Sequence, residues 1–278
     1  MKIKFNGMHM RILFILYFCV MTCFFHCTRS EHSQQNSVVI GLRGDMDSFN
    51  ELNASDSDAL QIIDHMLFMS LIKLNEQFEH VPDLAKKWEI TESGRTVTFV
   101  LRDDVLWSDG APTTADDVVF TYNAMTNPDV AYPAVSRFDL VNKVEKVDDY
   151  TLRFYLTRAY PDMLYDLSFP ILPKHVLDTL SVDELLTSSF NRNPIGNGPY
   201  VLQEWQADRA ISFKASDHYV YGRPTIDHIT FTIIPDEHVL LANLLSHDVD
   251  LVPRISPDNL NLLESDSDIN ITTFEGKR

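Results

Sequence analysis

Three aspartates lie close to Trp107 in the sequence, namely Asp103, Asp104 and Asp109. Paired carboxylates can carry acid–base chemistry or bind a hard cation. Here Asp109 and Gly110 form a turn pair, and aspartates at turns accept hydrogen bonds from backbone N–H groups. The turn accounts for all three carboxylates without catalysis, and we favour that interpretation.

Two more acidic pairs, Asp45 with Asp47 and Asp56 with Asp58, have short spacings that suggest calcium. Neither pair has the ligand spacing or the closing Glu of a calcium-binding loop. The 10 histidines show neither His-x3-His nor His-Glu-x-x-His spacing, and the chain has no Gly-x-Ser-x-Gly motif. We therefore expect no metal site, no cofactor and no catalytic residue.

The N-terminal residues form a targeting segment. Basic residues precede an apolar run over residues 12–20, and a polar stretch follows it. This run is shorter than the roughly 20 residues that a transmembrane helix needs. The pattern predicts a secretory signal peptide over residues 1–27 and a polar linker over residues 28–37.

All 3 cysteines, Cys19, Cys23 and Cys27, fall within this segment, so no disulfide is expected in the rest of the chain. Two alternatives stay open for them. One is a cleaved signal with incidental cysteines. The other is a lipid-modified cysteine, for which Cys27 has the better position and Cys23 the better preceding residues.

The chain has 278 residues and a formal net charge of −17. Its length allows one large domain or two small ones. A surface this acidic repels phosphate backbones and anionic lipid headgroups, so nucleic-acid binding is excluded. Contact with a membrane is expected only through a lipid anchor.

The secondary-structure elements are predicted from hydrophobic periodicity. Helices are expected at residues 58–74, after a cap at Thr114 with Asp117 three residues on, and at 161–168, 172–180, 236–246 and 256–264. Strands are expected at residues 38–42, 97–101, 141–147, 151–156, 200–202, 211–213, 226–234, 250–252 and 269–274. This mixture predicts an α/β fold with an antiparallel insertion.

Five short motifs follow one another between residues 82 and 118. They are Pro82–Ala85, Trp88–Glu89, Phe99–Arg102, Asp109–Gly110 and Ala115–Val118. Their order resembles that of the extracellular solute-binding proteins of family 5, the oligopeptide- and dipeptide-binding proteins of ABC importers. Asn193–Tyr200 and the turn ending at Pro224 extend the resemblance, which covers residues 38–274.

The resemblance implies a periplasmic binding protein-like fold of type II, cluster C. Residues 38–274 are then the first lobe, with an antiparallel and helical insertion subdomain at about residues 75–190. Family members are roughly twice as long, so we expect that the second lobe is missing. In that interpretation residues 275–278 are a truncated hinge and the chain is an N-terminal fragment.

The resemblance also implies a function. The chain is expected to be exported to the periplasm or cell surface, to bind a short peptide between two lobes and to deliver it to ABC permease subunits, as a monomer at full length. Main-chain groups of the loop after the first strand would bind the peptide as an added strand. The positions matching the family's ligand-binding residues are Ala54, Ser55, Asp56, Ser57, Tyr132, Asn197 and Gly198.

Two alternatives stay open at this point. The same fold could bind another solute, such as a nickel chelate, haem, an opine or an oligosaccharide. A different class is a secreted hydrolase built on the acidic loops, but the sequence shows no catalytic motif to support it.

Overall fold

The computed structural model describes residues 36–263 and 268–272. The predicted signal peptide with Cys23 and Cys27, most of the polar linker and the predicted hinge at residues 275–278 lie outside the described residues.

The described part of the chain alternates strands and helices. Its strands are Ser37–Leu42 (β1), Ile72–Leu74 (β2), His80–Pro82 (β3), Ala85–Thr91 (β4), Thr96–Leu101 (β5), Val141–Asp148 (β6), Thr151–Leu156 (β7), Tyr200–Gln206 (β8), Ala210–Ala215 (β9) and His228–Ile233 (β10). Its α-helices are Ser57–Ile62 (α1), Ala115–Thr126 (α2), Met163–Asp166 (α3), Lys174–Leu177 (α4), Val182–Thr187 (α5), Glu237–Leu245 (α6) and Leu260–Leu263 (α7). A π-helical turn lies at Ile63–Leu67, and 3₁₀ turns lie at Glu92–Gly94, Val135–Phe138, Ser189–Asn191 and Pro257–Asn259.

The first sheet combines the start and the end of the described chain, in the order β1, β10, β9, β8. β1 runs parallel to β10, whereas the other neighbours are antiparallel. On its other edge, β1 receives a hydrogen bond from the backbone N–H of Asp250 to Val39 O at 2.8 Å. Leu251 forms only an isolated bridge with Ile40, so the predicted strand at residues 250–252 is wrong as an extended element.

The second sheet is wholly antiparallel, in the order β4, β5, β7, β6. It lies within the predicted insertion range of residues 75–190 and contains the predicted hairpin of β6 and β7. Phe99 and Phe154 are buried on one face, where their rings meet edge to face at 6.0 Å. The period-two pattern of residues 97–101 and 151–156 therefore predicted both the strands and their buried face.

The predicted helix at residues 58–74 is wrong beyond residue 67, where the chain becomes extended and forms the β2–β3 hairpin. The segment from Gly196 to Gly198 packs against the end of the π-helical turn. The Gly198 N–H donates to Leu67 O at 2.9 Å, and the Met69 N–H donates to Asn197 Oδ1 at 2.8 Å. This contact from a distant segment captures the groups that would have continued the helix.

The cap of α2 is as predicted. The Thr114 N–H donates to Asp117 Oδ2 at 2.8 Å, and the Thr114 hydroxyl accepts from the Asp116 N–H, which completes a capping box. Asp117 is buried and also accepts the Lys174 N–H at 2.9 Å. One side chain therefore fixes the start of α2 against α4.

Three other predicted helices are shorter than expected. The helices predicted at residues 161–168 and 172–180 are single turns, Met163–Asp166 and Lys174–Leu177, and between them the Ile171 N–H donates to Met69 O at 3.0 Å. The helix at 256–264 divides into a 3₁₀ turn and α7 at the proline-led start. Residues 269–272, which are described, form no strand, since no strand of the described chain pairs with them; residues 273–274 lie outside.

Candidate ligand-binding site

The loop before α1 is held by two aspartates. Asp47 Oδ2 accepts the backbone N–H of Ser55 at 2.7 Å and that of Asp56 at 3.2 Å. Asp56 is the N-cap of α1, and its Oδ1 accepts the N–H groups of Asp58 and Ala59 at 2.9 and 3.0 Å. The N–H groups of Ser55 and Asp56 already donate to Asp47. A peptide added here as a strand would therefore have to bond to other polar groups of the loop.

The charge of Asp47 is stabilised by this arrangement. Its burial opposes the charged form, but hydrogen bonds from Ser55, Ser48 and Asp56 outweigh burial and hold the pKa of Asp47 below its ordinary value. The loop is therefore anchored by an ionised carboxylate at neutral pH.

A cavity of about 210 Å³ opens beside this loop. We call it the Arg254 cavity; it is lined by residues 41–44, Asp56, Asp58 and residues 253–254. Arg254 forms an ion pair with Asp58 and donates to Ser57 Oγ at 3.1 Å. Both signs of charge are thus offered at the same opening, which suits a ligand with polar main-chain groups or charged termini.

Glu237, at the start of α6, fixes the segment that carries Arg254. Its Oε1 accepts the backbone N–H of Ser256 at 2.8 Å, the Ser256 hydroxyl at 2.6 Å and the Asn259 amide at 2.9 Å. Its Oε2 pairs with Arg43 at 3.2 Å. These bonds, led by the Ser256 hydroxyl, lower the pKa of Glu237 to about 2.

The structure places the predicted site residues in two groups. Asp56 lines the Arg254 cavity, and Ser57 is bonded to Arg254 itself; Ser55 is exposed beside them and Ala54 is buried beneath. Tyr132, Asn197 and Gly198 do not line this cavity. All three are buried, and their polar groups contact other parts of the protein.

Glycine at 196 and 198 is required by a close approach. A Cβ atom at Gly196 would lie 2.1 Å from Leu67 O, and one at Gly198 would lie 2.6 Å from Met66 O. Asn197, between them, is 4 % exposed and donates from its amide to Thr113 Oγ1 at 3.4 Å. This segment positions the end of the π-helical turn.

Tyr132 donates its hydroxyl hydrogen to Glu51 Oε1 at 2.5 Å, and both side chains are buried. Burial raises the pKa of the Glu51 carboxyl to about 7, although the bond from Tyr132 opposes the shift. Burial and the neighbouring Glu51 raise the pKa of Tyr132 above its ordinary value. Nothing in the sequence singles out Glu51, because its buried contact is with Tyr132, 81 positions away.

The acidic clusters near Trp107 and at residue 45 are structural. Asp104 pairs with Arg102 at 2.9 Å, Asp103 with Lys86 at 3.6 Å and Asp109 with His175 at 2.8 Å. Asp45 accepts from Trp205 Nε1 at 3.0 Å. In residues 36–263 and 268–272, no group of three or more His, Cys, Asp or Glu side chains is arranged to hold a metal ion.

No helix in the described residues combines the length and apolar character needed to cross a lipid bilayer.

Arg254 and Arg43 are the residues of the Arg254 cavity that the sequence analysis missed. Arg254 lies 197 positions from Ser57, to which it donates.

Comparison with known proteins gives a consistent result. Residues 79–278 match the model of a protein family described as "Bacterial extracellular solute-binding proteins, family 5 Middle". The chain is 36 % identical over 218 residues to the Dipeptide-binding protein of Escherichia coli K12, an alignment that covers 71 % of this chain and 41 % of that protein.

Two solved structures have similar folds. One is AppA, the oligopeptide-binding protein of Bacillus subtilis, in complex with a nonapeptide: TM-score 0.76, 31 % identity, 82 % of this chain and 46 % of that one. The other is NikZ of Campylobacter jejuni in complex with Ni(L-His): TM-score 0.76, 31 % identity, 84 % of this chain and 46 % of that one. The chain thus has the α/β fold of a cluster C periplasmic binding protein, and it spans less than half the length of these relatives.

Proposed function

The chain belongs to the bacterial extracellular solute-binding proteins of family 5, and from that membership we propose that it forms one wall of the ligand cleft of an ABC importer's binding protein. The ligand is a short peptide, held between this wall and a second lobe that closes on it. The closed form then delivers the peptide to membrane permease subunits.

The observation that carries this proposal is the Arg254 cavity. It lies where α1 begins, and its main-chain loop and its mixed charges both come from segments next to β1. Main-chain and paired charged groups recognise the backbone and the termini, which all peptides share. They do not select among peptide side chains. The relatives named for dipeptides and oligopeptides support this choice of ligand.

Of the predicted site residues, we propose that Ser55, Asp56 and Ser57 contact the peptide and that Ala54 supports them from below. We propose only an indirect role in peptide binding for Tyr132, Asn197 and Gly198. Their polar groups already form hydrogen bonds within the protein. Closure on a second lobe would have to move them before they touched ligand.

The family's description as extracellular supports export of this chain. We propose that residues 1–27 direct it to the periplasm or cell surface, with Cys27 or Cys23 as the site of a lipid anchor. We also propose that it has no catalytic activity, that it is a monomer as a whole protein, and that residues 75–190 form the insertion subdomain.

A second ligand class has one specific observation in its favour. NikZ, whose fold matches as well as that of AppA, was solved with Ni(L-His). A chelate would need no run of main-chain hydrogen bonds along residues 54–57. Competition between a tripeptide and Ni(L-His) for the same site therefore separates the two classes.

The proposal is tested by mapping peptide binding with amide NMR shifts. Titration with trialanine should shift the signals of residues 54–58 and 254, and Arg254→Gln should weaken the response severalfold. Arg158→Gln is the matched control, because Arg158 is an exposed arginine outside the cavity. Shifts confined to other regions, or equal effects of the two variants, would refute the assignment.

A further inference from the structure

A second cavity, of about 420 Å³, lies at the other end of the α1 segment. We call it the Glu51 cavity; its lining includes Glu51, Asp64, Phe68, Arg137, Tyr165 and Tyr219. None of the residues that we propose to contact the peptide lines this cavity. We propose that the Glu51 cavity binds a primary ammonium group, with Glu51 as its counter-ion.

Glu51 carries an acceptor oxygen left unsatisfied by the described part of the chain. Glu51 is 5 % exposed, and its Oε1 is used by the Tyr132 hydroxyl at 2.5 Å. Its Oε2 is buried and has no hydrogen-bond partner within the described residues. A buried acceptor left in this state costs free energy, and an ammonium donor in the cavity would satisfy it.

The walls of the cavity combine acidic and aromatic side chains. Asp64 adds another carboxylate, while Phe68, Tyr165 and Tyr219 add aromatic rings. Carboxylates together with aromatic faces attract an alkylammonium ion through ion pairing and cation–π contact. A hard metal ion would instead need six or more oxygen ligands, which these walls do not offer.

The basic side chains at the cavity are already committed. Arg137 donates through Nη2 to the carbonyl oxygens of Tyr165 and Ser168, both at 2.9 Å. Lys73 pairs with Asp83 at 3.2 Å. Neither cation contacts Oε2 of Glu51, so no basic side chain of the described residues pairs with this buried oxygen.

Binding of an ammonium ion should release a proton. The charged and titratable groups that line the cavity around Glu51 are Asp64, His65, Lys73, His80, Asp83 and Arg137, with Tyr132 bonded to it. With the pKa of Glu51 at about 7, most Glu51 is protonated at pH 6 and ionised at pH 8. An ion that needs the carboxylate should therefore bind about tenfold more tightly at pH 8 than at pH 6.

The test uses the 278-residue chain and n-butylammonium chloride, followed by NMR and calorimetry, with 1-butanol as the uncharged analogue. We expect saturable butylammonium binding, a tenfold or greater loss in Glu51→Gln, and proton release at pH 6 seen as a buffer-dependent heat. Glutamine keeps the shape and can still accept from Tyr132, so this variant should fold. Glu76→Gln, an exposed carboxylate on the adjoining hairpin, is the matched control and should bind as the parent does.

A dissociation constant of roughly 1 mM corresponds to a binding free energy of about −4 kcal/mol. If butylammonium shows no saturable binding up to roughly 50 mM, the proposal is overturned. Equal binding of butanol, or equal behaviour of the two variants, would overturn it as well. N-acetylated Ala-Lys-Ala compared with its N-acetylated norleucine analogue then identifies the source of the ammonium, because only the lysine peptide carries a primary ammonium group. A preference for lysine indicates a peptide side chain, and binding of neither peptide indicates a free amine. The butylammonium experiment uses no peptide, so its outcome is independent of the proposed peptide capture.

Discussion

The Arg254 cavity and the Glu51 cavity flank the same helical segment, residues 57–67, but they differ in whether their acidic groups are paired. At the Arg254 cavity, every acid named has a basic or N–H partner, and the groups are partly exposed. At the Glu51 cavity, a buried carboxylate has one oxygen without a hydrogen-bond partner among the described residues. Paired and partly exposed charges suit a peptide ligand of variable sequence. A buried acceptor without a partner among the described residues suits a ligand that carries a positive charge.

The largest expected effect comes from the Gly196–Gly198 segment, which packs against the end of the π-helical turn. In Gly196→Ala, the new Cβ would meet Leu67 O at 2.1 Å, and a backbone atom cannot rotate away. We expect a loss of at least about 3 kcal/mol in the free energy of unfolding, measured in urea. Gly44→Ala is the control, since no atom of the part of the chain that the structure describes lies within 4 Å of its Cβ position, and it should change stability by less than about 0.5 kcal/mol. Similar losses in both variants would contradict the close approach.

The next effect concerns Glu51 and depends on pH. Its pKa is about 7 in the folded chain and 4.5 in the reference state, so its contribution to stability is present below pH 4.5 and is lost as pH rises through 7. Glu51→Gln removes this loss and should be more stable than the parent at pH 8 by roughly 2 kcal/mol, with a smaller difference at pH 5. Urea titrations of both proteins at the two pH values measure this. A constant difference would mean that Glu51 is not titrating in this range.

Asp47 should behave in the opposite way. Asp47→Ala leaves four donors without their acceptor, namely the N–H groups of Ser48, Ser55 and Asp56 and the Ser55 hydroxyl. The expected loss is about 1.5 kcal/mol at pH 7. The pKa of Asp47 is lowered by folding, so its contribution is present above pH 3.8 and fades as pH falls through the folded value.

Asp103→Ala serves as the control for Asp47, because that exposed aspartate has a single partner at 3.6 Å. It should alter stability by less than about 0.5 kcal/mol. If Asp47→Ala were equally mild, the loop at residues 55–56 would not depend on its carboxylate.

The smallest effect on stability is expected at Arg254, whose side chain is 62 % exposed in its ion pair with Asp58. Arg254→Gln should shift the free energy of unfolding by less than about 0.5 kcal/mol. Its effect on peptide binding should be severalfold nonetheless, which would separate a ligand contact from a structural one. A large loss of stability would instead make Arg254 part of the scaffold.

Local patterns predicted those elements whose partners are near in sequence. The alternation at residues 97–101 and the capping residues Thr114 and Asp117 gave correct elements, because strand faces and caps depend on neighbouring residues. The helix predicted at 58–74 failed beyond residue 67, where Gly198 and Asn197 take over its hydrogen bonds from about 130 residues away. Spacing alone carries no information about such a contact.

The candidate site divides in the same way. The loop at residues 54–57 was predicted from the family resemblance, and the structure places Asp56 at a cavity. Arg254 and Glu51 were missed, because an arginine approaching a distant loop and a carboxylate becoming buried are both results of tertiary packing.

In our proposal, this chain supplies one wall of a two-walled peptide site. Calorimetry of the 278-residue chain with a mixed library of di- to pentapeptides tests this proposal. One wall cannot offset the ordering cost of a flexible peptide, so we expect no dissociation constant tighter than roughly 1 mM, about −4 kcal/mol. Micromolar binding by this chain alone would contradict the account.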